Sequence, residues 1–285
     1  MRSLILFLVA FFGLWADVPT VLVSVAPHKY FVNAIGGDKV EVIQMVPSSA
    51  SPHTYEPTPS QILKAGKAQA WFRVGEGFET RALESLQAYN PNFVSIDLRK
   101  GLPLIPTPHH THTGKCCGIE GADLHIWLSL RMAQLQAKKI YEELAKLSPE
   151  NELYYKKNFN SFIQKLQTLD QKLTRLFEKD KGRVFLVTHP AYAYFCRDYG
   201  LEQMSIEYEG KEPTPQAMNR MLETARKLKI HTVFTQAQYG TKGAALIANL
   251  LNGNTIELDP YAEDYLKNME TMAQAIKQSF KNGNG

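Results

Sequence analysis

Short apolar, β-branched runs at residues 21–25, 40–46, 70–74 and 93–96 alternate with stretches that read as helices. Runs of this length and composition, bounded by turn residues, predict strands. The helical stretch 28–35 stops at Gly36 and Gly37, and the stretch 59–67 follows Thr58, an N-cap residue with proline in the first helical position. The same alternation restarts after residue 182, with strands predicted at 184–187, 204–207, 232–235 and 255–258. Strands separated by helices imply parallel sheets with crossover helices, so the chain reads as two α/β lobes. Between them, residues 150–181 contain no glycine or proline and carry apolar residues from Leu153 to Phe177 at helical spacing. One long helix is the simplest reading, with two helices broken near Thr168 as the alternative. About 30 residues at 1.5 Å each would reach roughly 45 Å, enough to run along both lobes. The expected division is 17–148 for the first lobe, 149–181 for the connecting helix and 182–285 for the second lobe.

Residues 1–16 carry a different signal. Arg2 precedes an uncharged apolar run at 4–15, which ends at the small residue Ala16. That run is shorter than the roughly 20 residues a membrane-spanning helix needs, so a cleaved secretory signal is expected, with an uncleaved anchor as the alternative. No cysteine stands at the cleavage point to carry a lipid, which favours a periplasmic location over tethering to an outer surface.

Composition narrows the function classes. The 285 residues are 44% hydrophobic and 21% charged, and the net charge of +4 comes from 32 basic and 28 acidic residues with no long run of one sign. This is not a nucleic-acid footprint. Three cysteines make no disulfide framework, so core burial must hold the fold. Cys196, in the apolar run 191–196, reads as a buried small residue.

Candidate chemistry lies at the ends of predicted strands. His53 falls between a strand and the helix starting near Pro59, at the carboxyl edge where open α/β sheets bind ligands. His125 directly precedes the predicted helix 129–147, His189 follows the strand 184–187, and Asp259 follows the strand 255–258. Imidazoles with one carboxylate suit zinc, but spacing alone does not show that side chains so far apart converge. His28 reads as a helix-start residue near the cleft, and His231 as an exposed residue at the start of a strand.

Four segments then occur in a telling order: Pro52-His53-Thr54-Tyr55-Glu56-Pro57-Thr58-Pro59-Ser60, His125-Ile126-Trp127-Leu128, Thr188-His189-Pro190-Ala191-Tyr192 and Leu258-Asp259-Pro260. The chain resembles the metal-binding solute-binding proteins of zinc and manganese ABC transporters over nearly its whole length. The resemblance implies two α/β lobes joined by one long helix, a metal site in the interlobe cleft, and delivery of the ion to a membrane permease. It implies His53, His125, His189 and Asp259 as ligands, a monomer, and no enzymatic activity. Two departures stand out. Leu124 and Leu130 replace prolines beside His125, and Gln236 stands where the family often has a glutamate, which removes an acid from behind the ligands.

Manganese-selective members tend to carry glutamate at the third ligand position, so His189 points to Zn2+ over Mn2+ or Fe2+. The loop 103–121 holds His109, His110 and His112 with Cys116 and Cys117, either an auxiliary zinc trap or a solvated loop with incidental histidines. Two rival classes compete with transport. A zinc hydrolase using Glu207 or Glu209 as base would lack the His-Glu-x-x-His motif, and a surface adhesin would lack the lipidation cysteine. Metal affinity is expected to fall below about pH 6.5 as protons compete for the imidazoles. Metal is expected to order local loops more than to rotate the lobes.

Overall fold

The computed structural model describes residues 18–106, 121–207, 214–239 and 242–282. The expected signal segment 1–16, the loop residues His109, His110, His112, Cys116 and Cys117, and Glu209 lie outside the described residues. The first sheet holds β1 (Thr20–Val23), β2 (Glu41–Gln44), β3 (Ala70–Arg73) and β4 (Val94–Asp97), all parallel, in the order β2-β1-β3-β4. The second holds β5 (Val184–Val187), β6 (Glu202–Ser205), β7 (Thr232–Thr235) and β8 (Asn254–Glu257), also parallel, in the equivalent order β6-β5-β7-β8. The helices are α1 (Ala26–Gly36), α2 (Pro59–Ala65), α3 (Gly77–Tyr89), α4 (Leu130–Leu147), α5 (Glu152–Leu176), α6 (Ala193–Tyr199), α7 (Pro215–Lys227), α8 (Lys242–Leu250) and α9 (Tyr265–Asn282). The fold is therefore two α/β lobes with parallel sheets.

The central strands match the apolar pattern because they are buried on both faces, as parallel sheets require. The edge strand β6 is displaced from it. β6 starts at Glu202, two residues before the predicted start, because its register is set by pairing Val184 with Glu202 and Val187 with Ser205. Its first two residues are polar and exposed or half-buried, so hydrophobicity does not mark them.

The connecting helix is continuous. Tyr155, Phe162, Leu166, Leu169 and Leu173 are buried along one side of α5, which packs on α1 and α4 of the first lobe and on α9 of the second. The helix runs unbroken through Thr168, whose hydroxyl donates to the carbonyl of Gln164 one turn back, 2.9 Å away. At 1.5 Å per residue α5 is about 37 Å long. One apolar cluster extends from Val21 and Phe31 through Trp127 and Leu166 to Phe185 and Tyr265, joining both lobes across α5. Among the described residues, no helix is long and apolar enough to cross a membrane.

Candidate metal centre

His53 is presented by a rigid turn. Pro52–Thr54 forms a single 3-10 turn after β2, and Pro52, Pro57 and Pro59 restrict the backbone around it. The far end is fixed by a capping box, in which Thr58 Oγ1 accepts from Gln61 N and Gln61 Oε1 accepts from Thr58 N. Behind the imidazole, buried Glu76 accepts from His53 Nδ1 at 3.0 Å. Glu76 is delivered by the loop between β3 and α3, where Glu79 accepts the backbone N–H groups of Val74 and Gly75 and the hydroxyl of Ser24. Gly75 has φ +93°, and a Cβ there would run into the Arg99 guanidinium, so the turn demands glycine. Burial pushes the Glu79 carboxyl up to about 7.

A short carboxylate clamp orients His125. Asp123 Oδ1 accepts both the backbone N–H of His125 (2.9 Å) and its Nδ1–H (2.8 Å). Between His125 and the predicted helix, Ile126–Leu128 makes a 3-10 turn, and Ser129 then caps α4 by accepting from Met132 N. That turn is pinned on three sides. Gln136 Nε2 donates to Ile126 O, Tyr265 Oη donates to Trp127 O, and Trp127 Nε1 donates to Pro260 O at 2.7 Å.

From the second lobe, His189 leaves the end of β5, next to β7, at the switch point of the sheet. Pairing along β6 continues one step further, with Glu207 N donating to Thr188 O, and this brings Glu207 Oε2 to 3.3 Å from His189 Nδ1. Gln236, the residue standing in place of an acid, is buried and donates to the carbonyl of His189. The carboxylate behind His189 thus comes from the neighbouring strand.

The three imidazoles meet. Donor atoms of His53, His125 and His189 lie within 4.8 Å of one another, and the Nε2 atoms of His53 and His189 are 3.3 Å apart. Carboxylates accept only, so each Nδ1 bonded to one carries the proton and each neutral ring leaves Nε2 bare. Three lone pairs therefore point into one space. Two nitrogens at about 2.0–2.1 Å from a tetrahedral ion would stand roughly 3.3 Å apart.

Asp259 is not in that group. Its Oδ1 accepts from Tyr261 N (2.9 Å) and from Gln238 Nε2 (3.1 Å), and Gln238 Nε2 also donates to Ser48 O across the cleft. His28 lies in the first turn of α1, buried, with Nε2 at 2.7 Å from Gln136 Oε1, and burial pulls its pKa down to about 4. His231 differs from expectation: it is half-buried, with Nδ1 2.9 Å from Leu251 O.

Charge is unevenly set across the triad. Burial, aided by neighbouring His125 and His53 and opposed by Glu207, pulls His189 down to about 4. Burial also works against charge on His53, but the bond to Glu76 and the charges of Glu76, Asp123 and Glu207 outweigh it and hold its pKa above the ordinary 6.5. His53 is the most open of the three, with 29% of its side chain exposed against 5% for His125 and 10% for His189, and marks the mouth.

The sequence pattern points to no role for Glu76, Asp123, Tyr239 or Tyr261, and to Glu207 only as a base for hydrolysis. Asp123 was legible from its place two residues before His125. Glu76 and Glu207 were not, because strand pairing alone brings them to their imidazoles.

Comparison with known proteins agrees with this architecture. Residues 21–279 match the family of the periplasmic zinc-uptake complex component A, ZnuA. A Chlamydia muridarum protein named for metal binding is 35% identical over 97% of this chain and 99% of its own length. The crystal structure of a zinc-bound ZnuA deletion mutant superposes with a TM-score of 0.84 at 38% identity, covering 92% of this chain and 98% of that one. The manganese transporter substrate-binding lipoprotein PsaA of Streptococcus pneumoniae is 28% identical over 71% of this chain and 67% of its own. The chain belongs to the ZnuA family, the metal-binding solute-binding components of zinc and manganese ABC transporters, which are not enzymes.

Proposed function

We propose that this protein captures Zn2+ in the periplasm, after removal of residues 1–16, and hands the ion as a monomer to its ABC permease. His53, His125 and His189 supply three ligands through Nε2, and Asp259 supplies the fourth once its carboxylate turns away from Gln238. The observation that carries this reading is the convergence of three bare imidazole nitrogens, each backed by a carboxylate. Such backing fixes the tautomer and raises the basicity of a metal-binding histidine. A donor set of three nitrogens and one oxygen suits zinc. Manganese prefers more oxygen donors and lies well below zinc in intrinsic affinity for nitrogen sites. The mixed surface charge, with a net of +4, favours no nucleic-acid partner.

Competitive titration tests the choice of metal. Protein loaded with Mn2+ should release it on addition of equimolar Zn2+, followed by the manganese spin-resonance signal. Failure of zinc to displace manganese would overturn the zinc assignment. The histidines at 109, 110 and 112 are proposed as an accessory collecting loop outside this centre, so their removal leaves the main site's affinity in place.

A further inference from the structure

His125 comes from the chain of the first lobe, yet its segment is fastened to the second. Tyr194 on α6 donates to Asp123 O at 2.7 Å and accepts from Ile105 N at 3.1 Å, so its hydroxyl works as donor and acceptor at once. One turn further along α6, buried Asp198 accepts from the Ser129 hydroxyl, which itself accepts from Met132 N at the start of α4. Between these anchors, Trp127 Nε1 donates to Pro260 O, and Trp127 O accepts from Tyr265 Oη. Residues 123–129 are thus held at both ends and in the middle by buried bonds to the second lobe.

The same helix leads back to His189. α6 begins four residues after it, at Ala193, and Ala191 N donates to His189 O in the turn between them. The stretch 189–198 therefore carries one imidazole and both of the end anchors of the other. Asp123, whose carbonyl takes the Tyr194 bond, also holds the backbone N–H and the Nδ1–H of His125 with its carboxylate. The two rings are fixed relative to each other, with centroids 5.4 Å apart.

His53 is placed differently. Its orienting acid, Glu76, belongs to the first lobe, and its loop meets the second lobe through half-buried or exposed contacts, Gln238 to Ser48, Ser51 to Tyr239 and Ser48 to Glu263. We infer that Tyr194 and Asp198 are positioning residues that hold His125 beside His189 as a ready-made seat of two imidazoles, leaving His53 as the ligand that closes on the ion last and leaves it first. This inference rests on the reading of the three histidines as a metal centre and does not depend on which divalent ion is carried.

Hydrogen exchange of the unaltered protein, with and without Zn2+, tests the seat. Amides of 123–129 should exchange slowly in both conditions and differ by less than about twofold, whereas those of 48–55 should slow by about tenfold or more when zinc binds. Zinc slowing 123–129 as much as 48–55, or leaving 48–55 unchanged, would overturn the inference. Tyr194→Phe then tests the anchor, since it removes the hydroxyl and keeps the ring. Its zinc affinity should fall by about tenfold, the lower end of the range for lost supporting contacts at metal sites, and exchange at 123–129 should quicken. Leu144→Ala, buried on α4 about four turns from Ser129, is the control: it should lower the unfolding temperature and leave zinc affinity unchanged. Ser129→Ala, which cuts the bond to Asp198, gives the answer if Tyr194→Phe does not fold. A zinc affinity of the folded variant within about twofold of the unaltered protein, or an equal fall in Leu144→Ala, would reduce the α6 anchors to a structural role. Zinc affinity indifferent to both His53→Ala and His189→Ala would overturn the metal centre itself, and this inference with it.

Discussion

His125→Ala is expected to weaken zinc binding by roughly 70- to 900-fold, because about 10–16 kcal/mol of apparent zinc affinity shared among the four proposed ligands assigns about 2.5–4 kcal/mol to each. His125 is the informative position. It is 4% exposed and pinned through Ile126 and Trp127. Asp123→Asn keeps the imidazole but removes the carboxylate that fixes its tautomer, and the expected loss is about 10–100-fold. Chelator-competition titration separates the two. The same order should appear in thermal unfolding, since a ligand at about 1,000 times its Kd adds about 4 kcal/mol to stability. An affinity for His125→Ala within a few-fold of the unaltered protein would remove His125 from the ligand set.

Much of this arrangement was written locally in the chain. Strand ends mark His53 and His189, a helix start marks His125, and Thr58 with Pro59 marks the start of α2, where Thr58 and Gln61 form a capping box. Convergence was not legible, because it depends on how two sheets are set against each other across α5. The orienting acids show the same division. Asp123 acts within its own turn, whereas Glu76 and Glu207 reach their imidazoles only because β3 and β6 end where they do. Asp259 is the clearest gap between sequence and structure: it follows β8 as the pattern suggests, yet Gln238 and Tyr261 hold its carboxylate.

These contacts also bear on how the site opens. On the His125 side the lobes are joined by buried bonds, Trp127 to Pro260 and Tyr265 to Trp127, and by an apolar cluster continuous through α5. On the His53 side the bridges are half-buried or exposed: Gln238 to Ser48, Ser51 to Tyr239 and Ser48 to Glu263. Weakly buried polar bridges break at lower cost than a buried core, so the turn around His53 and the segment before α8 are the parts that yield first. Local rearrangement at the mouth therefore fits the molecule better than wide rotation of the lobes.

The acid response of binding follows from the unequal histidines. Zinc requires neutral imidazoles, so a histidine that holds a proton must release it when the ion binds. His53, with a pKa raised above 6.5, is protonated in mild acid. Affinity is therefore full above that pKa and falls as pH drops through it, by about tenfold per pH unit for one displaced proton. His189, at about 4, is already neutral in this range and adds its proton only near that lower value. Between pH 8 and 5 the logarithm of the zinc Kd should thus rise with a slope below three, beginning above pH 6.5. Glu76→Gln removes the charge that favours protonated His53, and should move the onset to lower pH while weakening binding at neutral pH. A slope of three starting at pH 6.5 would mean that His189 titrates as an ordinary histidine, contrary to its burial among two other imidazoles. An onset unmoved by Glu76→Gln would remove Glu76 as the group that sets the proton affinity of His53.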